Sequence, residues 1–109
     1  MANVLVCEPV HETRFLIERV VQRMGHRVVG EDAREVHVLF YEPASAYGMV
    51  PAREAKYRWP DALLVACSAI PPRRSITGPR PVAYLSQPFS PADVRRVLEA
   101  ALMGALASR

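Results

Sequence analysis

The sequence predicts a single α/β domain built around a parallel β-sheet. Short apolar runs of strand-forming residues alternate along the chain with segments of helical periodicity, which is the pattern of a sheet covered by helices. The chain has 109 residues, half of them hydrophobic, which is enough for one globular core. We therefore expect residues 1–109 to form one domain.

Five segments have the composition of strands. They are Val4–Cys7, Arg27–Val29, His37–Tyr41, Ala62–Cys67 and Val82–Leu85. The first and third strands are each followed by a Glu-Pro pair, Glu8-Pro9 and Glu42-Pro43. Six similar residues are far fewer than a repeat unit, so we interpret the likeness as two buried parallel strands that end in the same way.

The clearest helices are the first and the last. An apolar stripe runs from about Glu12 to Met24, and Gly25 is a typical helix stop. Ser90 is a good N-cap for the last helix, with Asp93 near its positive end, and the apolar stripe continues to about Ala105.

The middle of the chain has weaker helical features. A helix is predicted around Pro51 to Arg58, because proline suits a first helical turn, and Trp59-Pro60 is expected to cover its end. Residues 70–81 are rich in proline, arginine and glycine and are predicted to form a loop.

Composition excludes several classes of function. No apolar run approaches the roughly 20 residues of a membrane span, and the first residues lack the pattern of a secretory signal. We therefore expect a cytoplasmic protein in which Cys7 and Cys67, both inside apolar runs, are buried thiols. The histidines have no partner spacing that would indicate a catalytic triad, and each is expected to be structural or exposed; they are His11, His26 and His37.

Four polar residues directly follow predicted strands. In a parallel sheet the carboxyl ends of the strands share one edge, where ligands bind in open α/β folds. The four residues expected at this edge are Glu8, Glu42, Ser68 and Gln87.

From about Asn3 to Leu102 the chain resembles the receiver domain of two-component response regulators, a flavodoxin-like (CheY-like) phosphoacceptor module. The most specific segment is Tyr84-Leu85-Ser86-Gln87-Pro88-Phe89, which is similar to the family's Tyr-x-x-Lys-Pro-Phe. The resemblance implies a doubly wound sheet of strand order 2-1-3-4-5. Here the helices between strands 2 and 3 and between strands 4 and 5 are expected to be shortened or missing.

The residues that correspond to the family's chemistry are altered. Glu42 stands at the phosphoacceptor position in place of aspartate, and its extra methylene moves the carboxylate about 1.5 Å outward. Of the acidic pair that helps to hold Mg²⁺, only Glu8 remains, because Pro9 occupies the second position. Gln87 replaces the lysine and brings no positive charge.

The resemblance also implies residues that respond to phosphorylation. Ser68 corresponds to the phosphoryl-sensing hydroxyl and Tyr84 to the switch aromatic. The peptide bond before Pro88 is expected to be cis. The simpler alternative is that Ser68 and Tyr84 are ordinary strand-end residues, and that Glu8 and Glu42 are solvated carboxylates.

Our first hypothesis is a stand-alone pseudo-receiver. It is not an enzyme, carries no cofactor beyond weak Mg²⁺ binding at Glu8 and Glu42, and acts on protein partners or as a homodimer through its last strand and helix. A second hypothesis is a metal-dependent phosphoacceptor that uses the same two glutamates. A third, nucleic-acid association through Arg73, Arg74 and Arg80, follows from a net charge of +3 and ranks last, because no DNA-binding motif accompanies it.

Overall fold

The computed structural model describes residues 1–43, 53–55, 57–68 and 81–107. Residues 53–55 and 57–58 are helical, within the helix predicted around Pro51 to Arg58. The strands and the two long helices are β1 (Asn3–Cys7), α1 (His11–Arg23), β2 (Arg27–Val29), β3 (Val38–Tyr41), β4 (Leu63–Ser68), β5 (Ala83–Ser86) and α2 (Pro91–Ala107).

The five strands form one sheet of order β2-β1-β3-β4-β5, and every pair is parallel. This is the order that the resemblance implied. Residues 30–37, which connect β2 to β3, contain no helix, as expected. The connection from β4 to β5 falls mostly on residues 69–80, outside the described residues, and so do Arg73, Arg74 and Arg80.

The sheet is packed on both faces, which explains the unbroken apolar runs of its strands. On one face α1 and α2 pack against Val6, Phe40, Val65 and other buried strand residues, with Ile17, Val21 and Leu98 fully buried between the layers. On the other face the side chain of Trp59 is only 6% exposed and packs with Leu39 and Tyr41.

Both long helices have the predicted terminal features. Gly25 has a φ of 85°, and its N–H donates to the carbonyl of Gln22 while that of His26 donates to Val21, which ends α1. At the start of α2 the backbone N–H of Asp93 donates to Ser90 Oγ (3.2 Å), and the N–H of Ser90 donates to Asp93 Oδ2 (2.8 Å).

Two histidines fix the amino end of β1. Each stands immediately before a strand that pairs with β1: His26 before β2 and His37 before β3. The N–H of Ala2 donates to His26 Nδ1 (3.0 Å), and the N–H of Asn3 donates to His37 Nδ1 (2.7 Å). An imidazole nitrogen can accept such a bond only when it carries no proton, so the start of β1 depends on neutral rings.

The His26 contact predicts that the protein loses stability in acid. Burial, and secondarily the positive charge of the chain's amino group, hold the pKa of His26 below its ordinary 6.5. The unfolded chain therefore binds this proton more readily, and the contribution of His26 is present above about pH 6.5 and is lost as the pH falls below it.

The variant His26→Asn tests this, because its Oδ1 can accept the same bond and cannot be protonated. We expect the unfolding free energy of the variant, relative to that of the wild type, to be about 1 kcal/mol higher below pH 6 than at neutral pH. Urea denaturation at a series of pH values measures this difference. His11→Asn, at an exposed position on α1, is the matched control. Parallel pH profiles for the wild type and His26→Asn would contradict the assignment.

Candidate functional site

The predicted polar residues lie at one edge of the sheet. Cys7 is level with Tyr41, Tyr41 with Ala66, and Ser68 with Ser86, so the carboxyl ends of β1, β3, β4 and β5 lie side by side. The backbone N–H of Gln87 donates to the carbonyl of Ser68 (3.0 Å), which extends the pairing of β4 and β5 beyond the last strand residue.

Glu8 is the most unusual group at this edge. It is only 4% exposed, so the alternative that it is a solvated carboxylate is wrong for this residue. Its Oε1 accepts a hydrogen bond from the backbone N–H of Val10 (3.2 Å), whereas no described residue hydrogen-bonds to its buried Oε2. Burial is the main reason that its pKa is raised, and the nearby Glu42 carboxylate adds to the effect.

Cys67 lies between Glu8 and Gln87, a position that our sequence analysis did not assign to the site. The Gln87 amide donates to Cys67 Sγ (3.6 Å), and the thiol also interacts with the Glu8 carboxyl group. Cys67 is fully buried, and burial raises its pKa to about 12, so it remains a neutral thiol. The strand register could have found it, because Cys67 is one residue beyond the Tyr41–Ala66 pair and is therefore level with Glu42.

The two cysteines are free and buried, as the sequence predicted. Burial also raises the pKa of Cys7 to about 12. Neither thiol is therefore in the reactive thiolate form near neutral pH.

The other positions of the resemblance differ in their exposure. Glu42 is half-buried, Pro9 is exposed, and Ser68 is buried at the end of β4. Glu42 and Ser68 both have further interactions within the protein. The Gln87–Pro88 peptide bond is cis, in agreement with the expectation for Pro88.

Tyr84 is 38% exposed on β5, and Tyr41 lies at the same level on β3, with β4 between them. Tyr41 is almost fully buried, and burial together with the neighbouring Tyr84 raises its pKa to about 12. Tyr84 is therefore partly exposed, whereas the Tyr41 phenol is buried and stays protonated near neutral pH.

The described residues that follow the strands do not fit a bound Mg²⁺ ion. Magnesium requires near-octahedral oxygen coordination with carboxylate ligands. Pro9 supplies no side-chain oxygen, and the raised pKa of Glu8 favours its neutral form. Within the described residues, no group of three or more His, Cys, Asp or Glu side chains could hold a metal ion.

Burial of Glu8 predicts that Glu8→Gln stabilises the protein near neutral pH. Because the pKa of Glu8 is raised above its ordinary 4.5, its contribution to stability is fully present below that pH and is lost as the pH rises through the folded-state pKa. Glutamine keeps an oxygen for the Val10 N–H and never ionises.

At pH 7 we expect a gain of about 1 kcal/mol in unfolding free energy for Glu8→Gln, and little difference at pH 4, measured by urea denaturation. Glu99→Gln, at an exposed position on α2, is the control. A variant less stable than the wild type at pH 7 would show instead that the site favours a charged Glu8.

The fold was also compared with known proteins. No protein-family model and no curated protein sequence matches the chain.

Among the residues that the structure describes, no helix has the length and hydropathy to cross a membrane.

Solved structures, in contrast, match over nearly the whole chain. A response regulator from Thermotoga maritima has a TM-score of 0.71 and 16% sequence identity, covering 94% of this chain and 98% of its own. A CheY-like response regulator receiver domain protein from Methanospirillum hungatei JF-1 has a TM-score of 0.79 and 11% identity, covering 100% of this chain and 99% of its own. NtrX from Brucella abortus has a TM-score of 0.77 and 20% identity over 99% of this chain, which spans only 28% of NtrX.

These similarities agree with the strand order and the parallel pairing described above. Identities of 11 to 20% establish the fold and leave the chemistry to the residues of this chain. The chain has the CheY-like fold of response-regulator receiver domains.

Proposed function

We propose that the chain is a pseudo-receiver, a signalling module that acts on protein partners without accepting a phosphoryl group. The observation that supports this most directly is the cluster formed by the buried Glu8 and Cys67 with the half-buried Gln87. At the place where the resemblance implies carboxylates and a lysine, the cluster joins a carboxyl group of raised pKa to a thiol and an amide.

Phosphoryl transfer makes demands that this cluster does not meet. The protein contributes mainly by positioning the groups and by compensating negative charge with metal ions and cationic side chains. Gln87 directs its amide to Cys67 Sγ and carries no charge, and Pro9 provides no ligand for a metal. Glu42 would in addition present its carboxylate about 1.5 Å from the position that an aspartate occupies.

Glu42 has a different role in this proposal. A half-buried carboxylate after β3 places a fixed negative charge where an aspartyl phosphate would form in a receiver. It carries one charge rather than the nearly two of a phosphoryl group. We infer that Glu42 holds the module in one signalling state, read through Ser68 and Tyr84.

The proposal predicts that phosphoryl donors leave the protein unchanged. With Mg²⁺ and acetyl phosphate or beryllofluoride, we expect no saturable change in the amide spectrum around Glu42 and no added mass of a phosphoryl group. The triple variant Pro9→Asp, Glu42→Asp, Gln87→Lys restores the implied residues and is expected to respond to both reagents.

Two outcomes would contradict the proposal. Saturable shifts centred on Glu42 in the wild type would show that it is not inert. Micromolar Mg²⁺ affinity, measured by calorimetry and abolished by Glu8→Gln, would support the metal-dependent phosphoacceptor instead.

We further propose that β5 and α2 form the partner surface, and that a second copy of the chain is one partner. β5 is an edge strand of the sheet and exposes Tyr84 (38%), and Val82, the residue immediately before it, is 56% exposed. α2 packs beside it and exposes Met103 (65%). Apolar side chains on an unpaired sheet edge favour association.

A charged residue placed on the surface formed by β5 and α2 should disrupt the dimer. In sedimentation equilibrium at about 100 μM, we expect the wild type to dimerise with micromolar affinity and Val82→Glu to be at least tenfold weaker. Phe15→Glu is the matched control, because Phe15 is equally exposed (53%) on α1. A monomeric wild type, or an equal effect of both substitutions, would count against this surface.

A further inference from the structure

A groove of about 690 Å³ lies at the amino edge of the sheet, opposite the candidate site. Its walls come from the start of β1, the connection before β3, the turn before β4 and Leu102 of α2. This volume is within the range of small-molecule sites. None of its residues belongs to the receiver-like layout of the opposite edge.

The groove depends on the short connection between β2 and β3. The indole N–H of Trp59 donates to the carbonyl of Ala33 (3.0 Å), and the Arg58 guanidinium donates to the carbonyl of Glu31. Arg58 also lies over the Trp59 ring, at 4.3 Å from its centroid. These contacts hold the connection against the turn before β4, so that Arg34 and Val36 form part of the groove wall.

The charges in the groove favour an anion. Arg34 is exposed, and no described residue forms an ion pair or hydrogen bond with its guanidinium. Glu35, the adjacent acid, accepts a hydrogen bond from the neutral His37 ring, with 2.5 Å between Glu35 Oε1 and His37 Nε2; this orients the carboxylate but does not cancel its charge. Arg58 adds a second guanidinium, 3.9 Å from Glu54, and Asp61 is the one negative side chain of the groove without such a partner among the described residues.

Apolar surface lies beside these charges. Val36, Leu63 and Leu102 contribute to the groove together with Trp59. An apolar wall next to an unpaired guanidinium complements a molecule with an apolar body and one acidic group.

We propose that this groove binds a small organic carboxylate with an apolar body, its carboxylate on Arg34 and its body against Val36 and Leu63. The site is separate from the candidate signalling site and does not depend on the proposed function. Asp61 opposes the ligand's charge and limits the affinity.

A matched pair of probes tests the proposal. 1-Naphthaleneacetate carries the charge, and 1-naphthaleneacetamide has nearly the same shape without it. In titrations followed by amide and indole N–H NMR, we expect the acid to shift Ala2, His37 and the Trp59 indole saturably, and to bind at least tenfold more tightly than the amide.

Three variants identify the groups responsible. Arg34→Gln is expected to weaken binding of the acid about tenfold, and Asp61→Asn to strengthen it by a few fold, because the opposing charge is removed. Arg19→Gln neutralises an exposed arginine on α1 outside the groove and should leave the affinity unchanged. Equal affinity for acid and amide, shifts outside the groove, or no effect of Arg34→Gln would overturn the proposal.

Discussion

The pairing of β1 on both sides determines where every other group lies. β2 and β3 flank it in the sheet, and its residues Val4 and Leu5 are paired in both directions. At its amino end, His26 accepts a hydrogen bond from the backbone N–H of Ala2, and His37 accepts one from that of Asn3. An unpaired N–H buried at this point would cost about 1 to 3 kcal/mol, so neutral imidazoles are part of the structure and not an accessory to it. At its other end, the strand places Glu8 in a buried position beside the carboxyl ends of the neighbouring strands.

The substitutions at that edge are consistent with one another electrostatically. In a site of low dielectric constant, several carboxylates require a cation or a metal to compensate them. With glutamine at position 87 the cation that the resemblance implies is missing, so a full acidic set would lack that compensation. Pro9 removes one acid, and burial raises the pKa of Glu8, an effect that the contact with Cys67 partly offsets. The altered residues therefore remove acidic and basic groups together: one acid at position 9 and the cation at position 87.

The fold was largely predictable because its determinants are local. The helix ends at Gly25 and Ser90 and the apolar strands are visible in the sequence, and the Tyr84–Phe89 segment indicated the strand order through the resemblance. The site was predictable only in outline. Placing Glu8, Glu42, Ser68 and Gln87 at one edge requires only parallel strands, whereas the burial of Glu8 and the position of Cys67 depend on the register between strands. The two histidine contacts are of the same kind, since each joins residues at least 24 positions apart.

β1 connects the groove at the amino ends of the strands with the candidate site at their carboxyl ends, and yet the two sites should act independently. β1 has five residues and spans about 16 Å, whereas charges in water at physiological salt are screened over about 8 Å. Neutralising Arg34 or Asp61 should therefore leave the pKa of Glu8 unchanged. Coupling between the edges would require the strand itself to shift, and the paired backbone of β1 opposes this on both sides. A ligand in the groove that altered the spectrum around Glu42 would thus report a movement of the sheet and not a long-range charge effect.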